Sequence, residues 1–300
     1  MKIGAVIQLV EISELKRAFT FAEIRATAQC CEELGFDSIW VYDHILYRTK
    51  TGETTGIWES WSMLSALAAC TQKVELGPLV ACNSFRNPAL LAKMAHTLDE
   101  ISGGRLILGL GAGWNKPEYD ALGIPFDHRV DRFEEALQII RPLLKEGQVD
   151  FSGKYYTARD CEIRPRSPRP GGPPLMIGAF KPRMLHLAAQ YADLYNVGYM
   201  SSPRSTEKPL RNLRKACKET GRELATLPYT FMISLSFPDL LGWTVPKKRG
   251  TLSGTTEELA AALAGYEKLG VAHLMFHLRP SRPEAYARLA EAVALYQSLK

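Results

Sequence analysis

The sequence lacks a membrane-spanning segment, since no apolar run approaches the roughly 18 residues that a transmembrane helix needs. The N-terminal stretch MKIGAVIQLVEISELK is broken by Glu11 and Glu14, so it predicts a first β-strand rather than a signal peptide. The six cysteines show no Cys-x-x-Cys spacing, and four of them fall in predicted helices, which disfavours disulfide frameworks and zinc sites. A reducing, cytoplasmic location is therefore expected.

The sequence also has little excess charge of either sign. Lysine and arginine number 37 against 32 aspartate and glutamate residues, which gives a net charge of +5, and the basic residues are scattered. A nucleic-acid-binding surface is not expected, whereas small anionic ligands are compatible with this charge. The 46% hydrophobic and 23% charged residues are typical of a globular protein, and 300 residues suffice for one large domain or two small ones.

Several motifs of other enzyme classes are missing. No glycine follows the first predicted strand, which argues against a Rossmann dinucleotide site, and no Lys-Ser or Lys-Thr pair follows the glycines at 109–113 to complete a P-loop. A Gly-x-Ser-x-Gly elbow and a His-x-His motif on the first strand are also absent. His273 and His277 lie four residues apart on a predicted strand, hence roughly 13 Å apart, too far to bind one metal. No metal site is expected.

Eight pairs of a β-strand and an α-helix are predicted along the chain. Apolar, β-branched runs mark the strands, and apolar residues at helical spacing mark the helices. The predicted strands cover residues 2–8, 36–42, 74–80, 105–110, 174–178, 193–198, 228–236 and 272–277. The predicted helices cover residues 19–35, 59–70, 88–101, 129–146, 181–191, 203–220, 255–269 and 282–299. Strands that are apolar on both faces are typical of a closed parallel barrel, so we expect a (β/α)8 TIM barrel rather than an open doubly wound sheet.

Two segments interrupt this alternation, and we expect them to be insertions after strands 4 and 7 of a single domain spanning residues 1–300. Residues 147–173 predict a β-hairpin that turns at Gly153, followed by a Pro-rich crossing. Residues 237–253 form a loop long enough to act as a lid. Its basic stretch, 247–249, suits an acidic ligand, and a solvated basic turn is the alternative.

The residues directly after each strand are the candidates for chemistry, because a TIM barrel carries its reactive groups at the carboxyl ends of its strands. Asp43 and His44 follow the second strand. An adjacent carboxylate and imidazole suit proton transfer to or from a substrate oxygen, which makes both candidate catalytic residues. The alternative is a turn cap by Asp43 beside a hydrogen-bonded structural His44.

Polar and glycine-rich segments follow the next two strands. Asn83 and Ser84, after the third strand, offer amide and hydroxyl groups to the edge of a heterocycle or to a phosphate, or else they cap the loop. After the fourth strand, Gly109 and Gly111 leave room for a ligand or a neighbouring backbone. Glu118 lies shortly beyond them and is a further catalytic candidate.

A potential anion site follows the fifth strand. Gly178, Ala179 and Phe180 precede a predicted helix, and Lys181 and Arg183 lie at its start. Backbone N–H groups at a helix start, with basic side chains beside them, suit a phosphate group. Solvated charges at the start of the helix are the alternative.

Taken together, these segments resemble the bacterial luciferase-like superfamily, and more closely its F420-dependent oxidoreductases. The resemblance covers most of the chain. It rests on GFDSIWVYDH (35–44), NSFRNPALLAKMAHTLDEISGGRLILGLGAGWNKPEYDALGIPF (83–126), RFEEALQIIRPLL (132–144), FSGKYY (151–156), IGAFKPRMLHLAAQYADLYN (177–196) and GTTEELAAALAGYEKLGVAHLMFHL (254–278). It implies a TIM barrel that holds the deazaflavin F420, or alternatively FMN, at the carboxyl ends of the strands, and a homodimer formed through barrel helices.

The resemblance also implies roles for single residues. Asp43 and His44 line the active site, with His44 beside the redox carbon of the cofactor. The implied cofactor-binding residues are Leu79, Val80, Ala81, Asn83, Ser84, Gly109, Gly111, Ala112, Gly178, Ala179, Phe180, Lys181 and Arg183. Among them, residues 79–81 are expected to contain a non-prolyl cis peptide behind the ring, and residues 178–183 to form the phosphate loop.

The chain departs from the family pattern at three positions. Trp114 stands where relatives that oxidise sugar phosphates have a glutamate, and Arg48 stands where they have a tryptophan. That substrate class is therefore not expected. Ala179 replaces the usual second glycine of the phosphate loop, and its methyl group narrows that pocket.

The predicted function is hydride transfer between C5 of F420 and a small organic substrate. His44 would position or protonate the substrate with electrostatic help from Asp43, and Glu118 would assist. One alternative is an FMN-dependent monooxygenase that uses dioxygen and reduced flavin from a separate reductase. A second alternative is a flavin- or deazaflavin-binding protein without turnover. The substrate and the direction of transfer are left open.

Overall fold

The computed structural model describes residues 1–12, 15–49, 51–241 and 251–299. The basic stretch 247–249 of the predicted lid loop lies outside the described residues. In the part of the chain that is described, no helix is both long and apolar enough to cross a lipid bilayer.

Strands and helices alternate from one end of the described chain to the other. The strands are β1 (Lys2–Val6), β2 (Ser38–Val41), β3 (Leu46–Arg48), β4 (Thr54–Gly56), β5 (Glu75–Pro78), β6 (Ala81–Cys82), β7 (Leu108–Gly111), β8 (Gln148–Ser152), β9 (Thr157–Glu162), β10 (Leu175–Gly178), β11 (Leu194–Met200), β12 (Tyr229–Ser236) and β13 (His273–Arg279). The helices are α1 (Phe21–Glu33), α2 (Ser60–Cys70), α3 (Pro88–Ile101), α4 (Lys116–Leu122), α5 (Arg129–Lys145), α6 (Pro182–Tyr191), α7 (Glu207–Thr220), α8 (Thr256–Lys268) and α9 (Pro283–Ser298).

One parallel sheet closes into a barrel, and its third barrel strand is in two pieces. The sheet order is β5-β2-β1-β13-β12-β11-β10-β7-β6, so the two pieces, β5 and β6, lie at its two ends. Gly77 of β5 pairs with Trp40 of β2, and Ala81 of β6 pairs with Leu110 of β7. The cis peptide between Leu79 and Val80 joins the pieces, at the position expected from the sequence. The predicted TIM barrel is confirmed, with strand 74–80 divided rather than continuous.

Two layers of apolar side chains hold the barrel. The interior layer packs large side chains across the barrel, and it consists of Val6, Trp40, Leu79, Ile107, Met176, Met232 and Met275. The outer layer lies between the strands and the helices and includes Leu64, Leu91, Ile140 and Leu213, each almost completely buried. The barrel is therefore a packed core and not a channel, so ligands are left with its rim.

Buried polar groups inside the barrel are satisfied by one another. Trp40 Nε1 donates to Ser38 Oγ at 2.7 Å, and Ser38 Oγ lies 2.8 Å from His273 Nε2. His273 is 2% exposed, and burial together with the charges of Lys2 and the N-terminus lowers its pKa to about 3. His273 is thus a neutral core residue that fixes the position of Trp40.

Capping residues start several of the surrounding helices. Thr20 and Glu23 form a capping box on α1, and Thr255 and Glu258 form one on α8. Asn87 accepts hydrogen bonds from the amides of the first turn of α3, which follow Pro88. Such caps satisfy amides that have no partner within the helix, and they place the helix starts beside the carboxyl ends of the strands.

Two elements were not predicted. The hairpin β3–β4 and the short helix α4 are inserted after the second and fourth barrel strands, close to the predicted catalytic residues. The predicted hairpin is present as β8–β9, directly after helix α5. Glu135 of α5 accepts hydrogen bonds from the amides of residues 154–156, so the tip of this hairpin lies against α5.

Candidate active site

His44 and Glu118 form a hydrogen-bonded pair at the end of the second barrel strand. His44 Nδ1 lies 3.0 Å from Glu118 Oε2 and 3.1 Å from Oε1. The backbone amides of Ile45 and Leu46 donate to Glu118 Oε1 at 2.6 and 3.3 Å. Glu118 is 1% exposed. The unpredicted helix α4 thus brings into contact two candidates that are 74 residues apart in the chain.

The carboxylate of Glu118 fixes the protonation pattern of His44. Burial raises the pKa of Glu118, but the hydrogen bonds from His44, Ile45 and Leu46 lower it further, so the net shift is downward. An ionised Glu118 requires a proton on His44 Nδ1, because a carboxylate only accepts hydrogen bonds. Nε2 is then the ring nitrogen left for a substrate.

Aromatic rings flank His44 on two sides. The ring of Tyr47 lies 4.6 Å from the His44 ring, centroid to centroid, and that of Trp114 lies 5.4 Å away in a T-shaped arrangement. Trp114 is 63% exposed. The imidazole is therefore held from three directions, by Glu118, Tyr47 and Trp114, at an edge that a substrate can reach.

Asp43 is buried behind the rim. Arg86 binds both of its oxygens, at 2.7 and 3.0 Å, and Ser60 Oγ donates to it at 2.6 Å. The amide of Cys82 donates to Oδ2 at 2.8 Å, and the Asp43 side chain is 0% exposed. With its oxygens occupied by these donors, Asp43 is a positioning residue that ties the second barrel strand to the third.

Val80 occupies the space that three glycines leave open. A Cβ on Gly111 would lie 2.8 Å from Val80 Cγ2, and one on Gly109 would lie 2.2 Å from the carbonyl oxygen of Pro78 and 3.1 Å from Val80 Cγ1. A Cβ on Gly178 would also meet Val80, at 3.1 Å. The predicted cofactor-side glycines thus accommodate the bulge of the third strand, which contains Val80.

We expect the Gly111→Ala substitution to destabilise the protein by about 1–3 kcal/mol, because the added methyl group overpacks against Val80. Urea unfolding followed by circular dichroism measures this change. Gly198→Ala is the matched control, because its Cβ would meet only the flexible end of Met232, at 3.3 Å. The second substitution Val80→Ala should restore part of the loss, and an additive double variant would contradict the proposed packing.

Asn83 and Ser84 carry buried polar atoms without a hydrogen-bond partner of ordinary geometry in the described structure. These atoms are both amide atoms of Asn83 and the hydroxyl of Ser84. Asn83 lies near the hydroxyl of Tyr156, and Ser84 lies near that of Tyr119. Burial raises the pKa of both tyrosines, and the neighbouring polar side chain reduces this rise. Unpartnered buried polar atoms are uncommon, so these groups are candidates for binding a ligand.

Counting partners among the described residues, the loop after β10 offers one free cation rather than two. Arg183 forms ion pairs with Asp131 and with Glu134, the latter at 2.6 Å. Lys181, which caps α6 without a side-chain hydrogen bond, is exposed and has no ion pair among the described residues. Phe180 is 59% exposed, whereas Ala179 is buried. A phosphate bound at this loop would therefore meet Lys181 and the backbone amides at the start of α6.

Tyr42 and His277 form a second pair at the rim that the sequence reasoning missed. The Tyr42 hydroxyl lies 2.8 Å from His277 Nδ1, and the two rings stack at 5.6 Å. Burial, with a smaller effect from Arg279, lowers the pKa of His277 to about 4. Both residues lie near the carboxyl ends of barrel strands, and this position could have identified them as candidates. From the sequence, His277 was considered only as a metal ligand.

We expect the unfolding free energy to decrease as the pH falls from 6.5 to 4. Below pH 6.5 the unfolded chain binds protons at His273 and His277, while the folded protein keeps both neutral until about pH 3 and 4. Each such histidine contributes a slope of about 1.4 kcal/mol per pH unit. Urea unfolding at several pH values measures the slope, and His277→Gln should remove about one histidine's share. An unchanged slope in this variant would show that His277 is not held neutral.

Two grooves of the described surface lie away from this rim. One, of about 530 Å³, is lined by Glu146, Asp160 and their neighbours where α5 meets the hairpin β8–β9. The other, of about 360 Å³, is lined by Trp61, Met94 and their neighbours on α2 and α3. In the described ranges, no group of three or more His, Cys, Asp or Glu side chains is arranged to hold a metal ion. The rim that contains His44 remains the candidate for chemistry, because the titratable pairs and the unpartnered polar atoms are found there.

The fold and the site define a class of protein: a TIM barrel with a carboxylate-oriented histidine and unpartnered polar groups at the carboxyl ends of its strands. Residues 1–238 match the family of luciferase-like monooxygenases. The chain belongs to this family, so the predicted class, an enzyme of the luciferase-like kind, is confirmed.

Curated relatives include enzymes with different cofactors. The chain is 34% identical over 220 residues to the pyrimidine monooxygenase RutA of Klebsiella pneumoniae subsp. pneumoniae, an alignment that covers 69% of this chain and 58% of the relative. It is 33% identical over 204 residues to the 5,10-methylenetetrahydromethanopterin reductase of Archaeoglobus fulgidus, covering 67% of this chain and 56% of that enzyme. The chain thus spans less than two thirds of the length of these relatives.

Solved structures show the same fold over nearly the whole chain. An F420-dependent secondary alcohol dehydrogenase in complex with an F420-acetone adduct has a TM-score of 0.81 at 20% identity, and the match covers 98% of each chain. The EDTA monooxygenase of Chelativorans sp. BNC1 also has a TM-score of 0.81, at 12% identity, covering 100% of this chain and 94% of the other. These likenesses show the barrel fold and leave the cofactor open.

Proposed function

We propose that the protein is an F420-dependent oxidoreductase that transfers a hydride between C5 of the deazaflavin and a small organic substrate. The observation that carries this proposal is the His44–Glu118 pair at the barrel rim, with Nε2 left as the nitrogen that exchanges a proton. A pair of this kind suits the interconversion of an alcohol and a carbonyl group, which needs one proton to move at the oxygen. The match to a reductase of Archaeoglobus fulgidus supports it.

The residues present fit such a cofactor. The unpartnered amide of Asn83 and hydroxyl of Ser84 suit the polar edge of a flavin-like ring or its side chain, and the bulge at residues 79–81 is placed as the resemblance implies. Lys181 and the amides at the start of α6 suit the phosphate. When bound, F420 supplies the two-electron chemistry as a hydride carrier, and the protein supplies binding and orientation.

His44 moves the proton. In the neutral ring, Nδ1 carries a proton and donates a hydrogen bond to Glu118. Nε2 then accepts a proton from a substrate hydroxyl. In the reverse direction, a doubly protonated ring donates from Nε2 to a carbonyl oxygen. Glu118 stabilises the charged ring, and Asp43 acts indirectly by fixing the backbone at Cys82.

A second candidate is an FMN-dependent monooxygenase that uses dioxygen and reduced flavin from a separate reductase. The match to the pyrimidine monooxygenase RutA favours it, since this alignment covers 69% of the chain. The unpartnered groups of Asn83 and Ser84 do not distinguish one tricyclic ring from the other. A cofactor-binding protein without turnover is a third candidate, supported by Trp114, which replaces the glutamate of relatives that oxidise sugar phosphates, and by Ala179, which replaces a glycine of the phosphate loop.

Partners and location are proposed along with the activity. We expect a homodimer formed through barrel helices, a small-molecule substrate and neither nucleic acid nor membrane as a partner. The six cysteines are all unpaired, which is compatible with the proposed cytoplasmic location.

Equilibrium titration of the purified protein with F420 and, separately, with FMN tests the cofactor. We expect F420 to quench or shift the fluorescence with a micromolar or lower Kd, with FMN at least tenfold weaker. A preference for FMN would replace the proposal with the monooxygenase, and binding of neither would reject both enzymes. Lys181→Ala should weaken the binding, more at low than at high salt, because its charge is solvent-exposed.

A further inference from the structure

The last barrel strand carries two inward-facing side chains above the packed interior of the barrel. β13 pairs with β12 in unbroken register up to Arg279, and Met275 of β13 belongs to the interior layer. Because side chains alternate along a strand, His277 and Arg279 face the same way as Met275, each closer to the carboxyl end. The contact of His277 Nδ1 with the Tyr42 hydroxyl, 2.8 Å across the intervening strand β1, agrees with this orientation. Arg279 therefore faces the mouth of the barrel.

Arg279 has no acidic partner in the described part of the chain. Its side chain is exposed, and it takes part in none of the ion pairs found among the described residues. The arginines that follow it are engaged. Arg282 donates to the carbonyl oxygen of Leu240. Arg288 pairs with Asp239 at 2.7 Å. The guanidinium of Arg279 is therefore available to a ligand that enters the mouth of the barrel.

Two serines on the neighbouring strand lie level with His277 and Arg279. Ser234 of β12 pairs in register with His277, and Ser236 pairs with Arg279. Met232 of β12 belongs to the interior layer, so the alternation of side chains turns both serines toward the mouth as well. Among the described residues, neither hydroxyl has a hydrogen-bond partner. Both hydroxyls can therefore donate to a ligand beside Arg279.

The contact between Tyr42 and His277 leaves one further donor. A neutral imidazole carries one N–H group and a tyrosine one O–H group, and their mutual hydrogen bond uses only one of the two hydrogens. His277 is neutral near pH 7, because burial and, secondarily, the charge of Arg279 lower its pKa to about 4. Together with Ser234 and Ser236, these three residues form what we call the donor cluster. It contains one positive charge, several neutral donors and no carboxylate.

The composition of the donor cluster favours a carboxylate over a phosphate ester. A guanidinium binds both oxygens of a carboxylate through two parallel hydrogen bonds, and the neutral donors satisfy the remaining lone pairs. A phosphate monoester carries about 1.5 to 2 negative charges near pH 7, which a single arginine does not balance. The matching ligand group is therefore a single carboxylate.

The donor cluster lies within reach of the histidine that faces the substrate. Val6 of β1 pairs with Trp40 of β2 on one side and with His277 of β13 on the other, so β2 and β13 both flank β1. Strands that are two apart in a sheet are separated by roughly 10 Å. His44 follows Trp40 by four residues, and Arg279 follows His277 by two. A small organic acid can therefore place its carboxylate at Arg279 and a hydroxyl group at His44.

We propose that the substrate is a small hydroxy acid, or the corresponding oxo acid, whose carboxylate is bound by Arg279 and whose reacting oxygen lies at His44 Nε2. This inference rests on the proposed function for its chemistry and adds the substrate class. In the oxidative direction, the C–H bond of the hydroxyl-bearing carbon breaks and its hydride passes to C5 of F420, while the hydroxyl proton passes to His44. Arg279 is a specificity-determining residue, because it binds the substrate and takes no part in the proton transfer.

The test compares two acids, 3-hydroxybutyrate and 5-hydroxyhexanoate, with their uncharged primary amides. The acids differ in the separation between carboxylate and hydroxyl. Ligand-observed NMR titration measures each Kd, on the protein alone and with oxidised F420 added. We expect at least one acid to bind at least tenfold more tightly than its amide, and Arg279→Gln should reduce this ratio at least fivefold. Arg279→Lys should keep part of it, because lysine retains the charge but not the two parallel hydrogen bonds.

Arg211→Gln is the matched control, because Arg211 is also exposed and without an ion pair among the described residues but lies on α7. This variant should keep the ratio, and both glutamine variants should unfold at the wild-type temperature. Equal binding of acids and amides, an unchanged ratio in Arg279→Gln, or tighter binding of glycerol 3-phosphate than of either acid would overturn the inference. If the acids are preferred but F420 does not bind, the proposed function fails while the carboxylate site stands.

Discussion

The His44→Ala variant is expected to lower kcat about 10²- to 10⁴-fold, while its Kd for F420 stays within about twofold of the wild type. In the proposed function Nε2 exchanges the substrate proton, because Glu118 occupies Nδ1 at 3.0 Å. Alanine removes that nitrogen, and the cofactor-side groups at residues 79–84 are unaltered. Steady-state kinetics with the identified cofactor, alongside a fluorescence titration, measure both quantities.

Glu118→Gln should produce a smaller loss of activity and a changed pH profile. In the wild type, His44 and the amide of Ile45 donate to a carboxylate with two acceptor oxygens. Glutamine has only one acceptor oxygen, so one of these two donors faces its NH2 group. His128→Ala is the control, because His128 is half-exposed and pairs with Asp131 on α5. Unchanged turnover in His44→Ala with intact cofactor binding would disprove the assigned role of His44.

The Asp43→Ala variant is expected to lose about 3–5 kcal/mol of unfolding free energy. The substitution leaves the guanidinium of Arg86, whose side chain is only 11% exposed, without its bidentate partner and with Glu59, at 2.9 Å, as its remaining carboxylate. Ser60 and the amide of Cys82 also lose their acceptor. Breaking one side of a buried ion pair costs more than the pair contributes, because the remaining charge stays desolvated. Urea unfolding of the cofactor-free protein measures the loss.

Asp120→Ala provides the comparison for an exposed ion pair. Asp120 pairs with Lys116 at 2.6 Å, but both side chains are about 60% exposed, so its loss should change the stability by at most about 1 kcal/mol. The double variant Asp43→Ala with Arg86→Met should recover part of the loss, because the largely buried guanidinium, which would keep only Glu59 as an ion partner, is then removed. Equal stabilities of Asp43→Ala and Asp120→Ala would show that Asp43 is not a buried anchor.

The positions of the candidate residues along the barrel were predictable from the sequence. Alternating strand and helix patterns locate each strand end, and Asp43, His44, Asn83 and Ser84 all follow directly from that rule. The cis peptide at residues 79–80 was expected from the family resemblance, whereas the division of the third strand that accompanies it was not predicted. Helix α4 and the hairpin β3–β4 were not predicted, because both are too short to show a clear period.

The roles of those residues depended on contacts that no local pattern contains. Asp43 and His44 are neighbours in the chain with the same predicted role, yet one is buried against Arg86 and the other lies at the rim. Gly109 and Gly111 predicted room for a ligand or a neighbouring backbone, and the third barrel strand fills it, through the carbonyl of Pro78 and the side chain of Val80. Arg183 predicted a phosphate partner, and α5 supplies two carboxylates to it instead.

The sequence by itself determined the barrel, its strand ends and the family, because these follow from periodicity, from turn residues and from motifs that lie within short segments. Only the tertiary structure decided which side chains pair. Glu118 reaches His44 across 74 residues, and Tyr42 reaches His277 across 235. Closing the barrel brings distant strand ends together, and the burial and charge of a side chain, which set its pKa and its role, depend on the groups it then meets.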